Sequence, residues 1–196
     1  HNLMGYITGN QDRGRFISYD GGALQFDEDA KLAGWTRDVN VGDPSAYLTS
    51  AMLFAFNMTI PGLPVIYYGD EIGMPGGNDP DSRRMMRFED LLPKEEELMG
   101  KVIKLTELRK NELALVYGDF ESLLVSEETY AYCRSYFDHI VVVAMNKAPE
   151  EKSLRFALPE RFADAELQSR FGTDFTITGG EVSLRLGPKE FEILVL

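Results

Sequence analysis

Pro61-Gly62-Leu63-Pro64-Val65-Ile66-Tyr67-Tyr68-Gly69-Asp70-Glu71-Ile72-Gly73-Met74 decides how the first half of the chain is read. Pro61-Gly62 is a turn signal that closes whatever precedes it. Pro64 to Tyr68 is a short, bounded apolar run, the length of a buried strand. It stops abruptly at Gly69-Asp70-Glu71, which places polar side chains just past the strand's C-terminal end. A loop through Gly76-Gly77-Asn78-Asp79-Pro80 follows.

Working outward, residues 45–58 carry Ala46, Leu48, Ala51, Met52, Leu53, Ala55 and Phe56 and predict a helix apolar nearly all round. Asp43-Pro44 suits its start, an N-cap residue followed by Pro at the first position. A long Gly- and Asp-rich connection lies before it. Leu3-Met4-Gly5-Tyr6-Ile7 is a second short buried strand, ending in Thr8-Gly9-Asn10-Gln11-Asp12. Beyond the central stretch, Lys94 to Asn111 has Leu98, Val102, Ile103, Leu105 and Leu108 at helical period. The order strand, helix, strand, helix predicts a parallel α/β unit. In a (β/α)₈ barrel such strand ends form the catalytic face.

Near Tyr117 the pattern changes. Tyr130 to Tyr136 and Val182 to Leu186 alternate, and His139 to Met145 is a continuous apolar run suited to a central strand. Gly179-Gly180 and Gly187-Pro188 are turn signals, and Phe191 to Leu196 is a final strand. This half predicts a small antiparallel β-sandwich of six to eight strands. The expected domains are residues 1–115, the α/β part, and residues 116–196, the sandwich.

The 196 residues are 44% hydrophobic and carry a formal charge of −12. That composition fits one or two folded domains. The negative surface repels phosphates and argues against a nucleic-acid partner, while neutral sugars remain compatible. A single cysteine, Cys133, excludes an intramolecular disulfide and a cysteine-built zinc cluster. No apolar run approaches the roughly 18–20 residues of a membrane span. The chain starts with His1 and shows no signal-peptide pattern, so it reads as a piece of something longer, with its compartment left open.

Two blocks carry a resemblance. Ile7-Thr8-Gly9-Asn10-Gln11-Asp12-Arg13-Gly14-Arg15-Phe16 resembles the Asn-His-Asp motif that ends the seventh barrel strand of the α-amylase superfamily, including the Arg and Phe that often follow. The central stretch from Pro61 looks like the eighth strand, where Gly-x-Pro-x-x-Tyr-Tyr-Gly-x-Glu recurs, and Asp79-Pro80-Asp81-Ser82-Arg83 follows as in many members. With the appended sandwich, the resemblance covers nearly the whole chain. It implies the last two βα units of a (β/α)₈ barrel followed by an antiparallel β-sandwich.

It also implies a retaining α-glucan-active glycosidase of the amylase, neopullulanase or cyclomaltodextrinase kind. Such enzymes place a nucleophile and a general acid roughly 5–5.5 Å apart. In this family both come from strands upstream of the seventh, so no Asp or Glu here takes either role, and the chain alone is expected to be inactive. A third carboxylate hydrogen-bonds the sugar as the ring flattens, strengthening its hold as charge develops; that role maps onto Asp12. Asn10, Gln11, Arg15, Asp79 and Arg83 are the implied substrate-binding residues. Asp79 and Arg83 also fit a plain i,i+4 surface ion pair. Gln11 departs from the family's usual His. A charged donor contributes about 1.5–3 kcal/mol per bond against about 0.5–1.5 for a neutral one, which bears on activity and specificity.

Other residues read more plainly. Asp81 is solvated or a turn cap, Glu71 supports the strand-end network or contacts substrate, and Tyr67 and Tyr68 pack in the barrel and its wall or flank the cleft with one ring. Trp35 either stacks on sugar or packs its loop; His139 is structural and His1 terminal. Gly76-Gly77 is not a phosphate loop, because the Gly-Lys-Ser/Thr ending is missing. No cofactor or metal ligand set is expected; calcium, which family members often bind, would be held mainly by upstream residues. The implied partners are an α-glucan and the upstream barrel half, without which residues 1–70 would self-associate or lose order. A non-catalytic amylase-like subunit and a sandwich that only packs or binds sugar are the competing readings.

Overall fold

The computed structural model describes residues 4–196. His1 and the Leu3 start expected for the first strand lie outside that range. The chain forms two compact units: residues up to Phe54 with Gly62–Leu105, and Ala55–Pro61 with Thr106–Leu196.

In the first unit, β1 (Gly5–Ile7) pairs in parallel with β2 (Leu63–Val65), with Gly5 opposite Leu63 and Ile7 opposite Val65. The expected parallel pairing of these segments is present. The expected burial is not: Ile7, Leu63 and Val65 are all exposed. Among the described residues neither strand has a second neighbour, so no sheet closes around them and a full barrel is not formed.

The connection from β1 to β2 is more regular than its Gly- and Asp-rich composition suggested. It holds α1 (Phe16–Asp20), α2 (Ala30–Thr36) and α3 (Ala46–Thr59). Asp29 caps α2 by accepting the amides of Lys31 and Leu32. Leu24, Ala30, Ala33 and Val39 form a small core beneath it. Asp43 caps the start of α3, its carboxylate accepting the Ser45 amide at 2.8 Å. The long helix α4 (Pro93–Asn111) lies within a residue of its predicted bounds. Its buried Leu98, Val102 and Leu105 follow the helical period, while Ile103 is exposed.

The second unit takes in the ends of α3 and α4 and the short helix α5 (Leu113–Tyr117), and its strands are antiparallel. Its strands among the described residues are β3 (Asp119–Val125), β4 (Thr129–Tyr136), β5 (His139–Asn146), β6 (Lys152–Ala157), β7 (Gln168–Ser169), β8 (Phe175–Thr178), β9 (Glu181–Leu186) and β10 (Glu190–Val195). They form a five-stranded sheet, β3-β4-β5-β10-β7, and a three-stranded one, β6-β9-β8. The continuous apolar run at β5 is explained by its central place between β4 and β10. Ala131, Cys133, Ile140, Val142 and Ala144 of the large sheet share one core with Leu154, Phe156, Val182, Leu184 and Leu186 of the small one. Burial holds the Cys133 thiol up at about 11. Truncating a core side chain such as Leu184 to Ala costs about 2–5 kcal/mol.

Glu192 and Arg134 are among the polar side chains buried in this unit, and both are satisfied. Glu192 accepts the amides of Arg170, Phe171, Thr173 and Ile193 and the Ser169 hydroxyl, tying the 169–173 loop to β10. Arg134 donates to the carbonyls of Thr59, Gly118 and Asp119. No helix among the described residues is long and apolar enough to cross a membrane.

Candidate functional site

The residues past the ends of β1 and β2 converge. After β1 the chain runs Thr8-Gly9-Asn10-Gln11-Asp12, and the Asn10 side chain folds back to accept the Asp12 amide at 2.8 Å. This local bond fixes a tight turn and leaves the Asp12 side chain 65% exposed. Gln11 donates from Nε2 to Asp12 Oδ2 at 3.0 Å. A neutral donor thus already faces the carboxylate where the family usually has His.

After β2, Gly69 adopts φ 87, in the left-handed region that favours glycine, and starts a 3₁₀ turn over Asp70–Ile72. A second 3₁₀ turn, Asp81–Arg83, follows the cis Asp79–Pro80 peptide. It aims Arg83 at three acceptors. Nη2 lies 3.1 Å from Asp12 Oδ1, and Nε lies 3.0 Å from Asp79 Oδ1 and 3.2 Å from the Gln11 carbonyl it donates to. Lys31 reaches the other Asp79 oxygen at 3.6 Å. Asp79 and Arg83 do form the i,i+4 ion pair, and the same Arg83 carries Asp12 as well. The cluster is solvent-open and alternates carboxylate, guanidinium and amide, the groups that hydrogen-bond sugar hydroxyls.

Arg15 is placed differently from the sugar contact expected of it. It is 1% exposed. Nη1 donates to the Tyr68 carbonyl at 2.7 Å and to Asp70 Oδ1 at 2.8 Å, and Nε donates to the Ser82 carbonyl at 3.1 Å. The guanidinium also lies over the Tyr67 ring, 4.2 Å from its centroid. With its donors turned inward, Arg15 braces the floor of the site. Burial holds the Asp70 carboxyl above the usual carboxylate range, although Arg15 and the Thr8 hydroxyl pull it down.

Asp81 is not solvated. Its side chain is 18% exposed, pairs with both Nε and Nη2 of Arg84 and accepts the Gly77 amide at 2.6 Å. Burial pushes its carboxyl up, but Arg84 and Gly77 outweigh that and hold it low. Glu71, expected to support the strand-end network, has one carboxylate oxygen buried without a hydrogen-bond partner among the described residues. Tyr67 and Tyr68 pack edge to face. Trp35 stands exposed on α2, and His139 opens β5, exposed. No cluster of His, Cys, Asp or Glu among the described residues is arranged to hold a metal ion. Asp70 and Ser82 are the participants that reading the sequence missed.

Comparison with known proteins agrees with this architecture. Residues 124–194 match the cyclo-malto-dextrinase C-terminal domain family. The chain is 37% identical over 112 residues to a cyclomaltodextrinase from Geobacillus thermopakistaniensis, covering 56% of this chain and 19% of that protein. It is 34% identical over 143 residues to neopullulanase 2 of Thermoactinomyces vulgaris, covering 71% of this chain and 24% of that one. The chain therefore spans about a fifth to a quarter of these relatives' own length. Among solved structures, an Anoxybacillus α-amylase superposes with a TM-score of 0.73 at 28% identity, covering 99% of this chain and 38% of that one. The Geobacillus thermoleovorans α-amylase complexed with acarbose gives 0.74, also at 28% identity, covering 98% of this chain and 38% of that one. The chain is similar to the C-terminal part of α-amylase-superfamily enzymes, and its residues 124–194 match the cyclo-malto-dextrinase C-terminal domain family.

Proposed function

We propose that this chain is the C-terminal portion of a retaining glycosidase that hydrolyses α-glycosidic bonds in starch or maltooligosaccharides. Residues 1–115 supply the last two βα units of the catalytic (β/α)₈ barrel, and residues 116–196 the appended β-sandwich. The observation that carries the reading is the convergence of Asp12, Asp79 and Arg83 past the ends of two parallel strands. Relatives named cyclomaltodextrinase and neopullulanase support α-glucan as the substrate class.

In this reading Asp12 hydrogen-bonds the hydroxyls of the sugar undergoing cleavage. Those bonds tighten as the ring flattens toward an oxocarbenium ion, so they lower the barrier rather than only binding substrate. Arg83 holds Asp12 in place and, with Asp79, contacts the next sugar. Asn10 sets the turn, and Gln11 offers a neutral donor to the sugar. Arg15 keeps the floor rigid. The nucleophile and general acid belong to upstream strands, so this chain binds and stabilises without breaking the bond.

The test is the stereochemistry of hydrolysis by the intact protein that carries this chain. Proton NMR of fresh maltopentaose hydrolysate is expected to show the α-anomer first. Initial release of the β-anomer, or no hydrolysis of any α-glucan, would overturn the proposal.

A further inference from the structure

We propose that Asp70 is the positioning residue of this site: its buried carboxylate sets the segment Thr8 to Asp12 so that Asp12 meets Arg83. The inference rests on the sugar-site reading of Asp12 and adds the residue that enforces its geometry.

Three contacts fix Asp70. Its Oδ1 receives Arg15 at 2.8 Å, its Oδ2 receives the Thr8 hydroxyl at 3.3 Å, and its side chain is 9% exposed. Gly9 is the third. A Cβ at Gly9 would lie 2.5 Å from Asp70 Oδ2, closer than real side chains approach. A free carboxylate could swing aside, but this one is held from both ends. Only glycine fits at position 9, and the backbone of the turn lies against the carboxylate.

The same bonds close a loop around the whole segment. Asp70 binds Arg15, Arg15 donates to the Ser82 carbonyl at 3.1 Å, and the Ser82 hydroxyl donates to the Gln11 carbonyl at 3.0 Å. Arg83, the next residue, donates to that same carbonyl and pairs with Asp12. Thr8 is therefore pinned from Asp70 and Gln11 from Ser82, with Arg15 joining the two anchors. Asp12 is one residue past the second anchor. A buried ion pair is a weak source of stability, because desolvation offsets its attraction. What it does supply is directed bonds. A turn whose catalytic group must sit within a fraction of an ångström needs that direction more than it needs stability.

The experiment uses the intact protein, with maltopentaose as probe and Thr8→Val, Gly9→Ala, Asp70→Asn and Asp12→Asn as variants. Thr8→Val keeps shape and removes one bond. Gly9→Ala is expected to lower kcat about a hundredfold, the scale of an ångström's misplacement, and Thr8→Val about tenfold, with KM changing far less. Thermal unfolding of each variant gives the folded fraction. A kcat loss per folded molecule with KM held supports the proposal. Wild-type kcat in folded Thr8→Val and Gly9→Ala, or a loss that tracks only the unfolded fraction, overturns it; Thr8→Val keeps the test open if Asp70→Asn fails to fold. Asp12→Asn separates the two claims. If it is crippled while Thr8→Val and Gly9→Ala are normal, only the role of Asp70 falls; if it is itself near wild type, the reading of Asp12 falls.

Discussion

The guanidinium of Arg83 lies 3.1 Å from the carboxylate of Asp12, across 71 residues of sequence. The two side chains are 47% and 65% exposed, so water screens their attraction. An exposed pair of this kind contributes about 0–1 kcal/mol to stability. Its value lies in orientation. Arg83→Ala is therefore expected to leave the thermal midpoint nearly unchanged and to weaken maltooligosaccharide turnover by the intact protein. Calorimetry and steady-state kinetics on the same preparation check this. A large drop in midpoint with normal kinetics would assign Arg83 to the fold instead.

Asp81 makes the opposite case. Its carboxyl is held below the ordinary aspartate value by Arg84 and the Gly77 amide, against the upward push of burial. A depressed folded-state pKa adds stability above the unfolded value of 3.8, and that stability is lost as pH falls through the lower folded value. Asp81→Asn is expected to be less stable than the parent at pH 7, with the difference shrinking as pH falls below 3.8 and gone only below the lower folded value. Urea unfolding across that range measures it. A difference that persists undiminished in acid would contradict the assignment.

In the second unit, Arg134 is 1% exposed and donates to three backbone carbonyls. Burial pulls its pKa down to about 10. Arg134→Met removes the donors but leaves the acceptors at Thr59, Gly118 and Asp119, a loss of about 3 kcal/mol or more. Arg134→Lys recovers only part, since an ammonium lacks the planar fork that reaches several acceptors at once. Denaturant midpoints of the two variants provide the comparison.

What was legible in the sequence is what is local or periodic. The parallel strands, α3, α4 and the sandwich announce themselves through apolar period and turn residues. Asp12, Asp79 and Arg83 stand in short contiguous motifs, so their types and spacing could be read. Arg15 stood in such a motif too, but whether it faces solvent or the floor depends on Asp70, 55 residues away. Nothing near Arg15 encodes that partner. Of the two readings of Asp81, the turn cap fits, since it accepts the Gly77 amide, and the solvated one does not; its partner Arg84 acts only once the loop is folded. Helices α1 and α2, of 5 and 7 residues, are too short to establish a period. The exposure of β1 and β2 was not legible either, because burial depends on which strands lie beside them.

That exposure has a consequence in solution. Met4, Ile7, Leu63, Val65 and Ile66 are all exposed in the first unit, and a two-stranded sheet with open edges offers unpaired backbone groups. The 196-residue chain alone is expected to self-associate through its first 70 residues or to lose order there, while β4, β5 and β10 stay protected. Light scattering with hydrogen exchange read by segment tests this. A monodisperse monomer with residues 45–70 strongly protected would contradict it.

The central claim is that Asp12 stabilises the transition state of α-glucan hydrolysis. The most direct measurement is kcat for maltopentaose in the intact protein with Asp12→Asn. Asparagine keeps the shape and the turn but removes the charge that meets the developing oxocarbenium ion, so kcat should fall by roughly a hundredfold to a thousandfold with an unchanged thermal midpoint. A folded Asp12→Asn enzyme with kcat near the parent value would contradict the account.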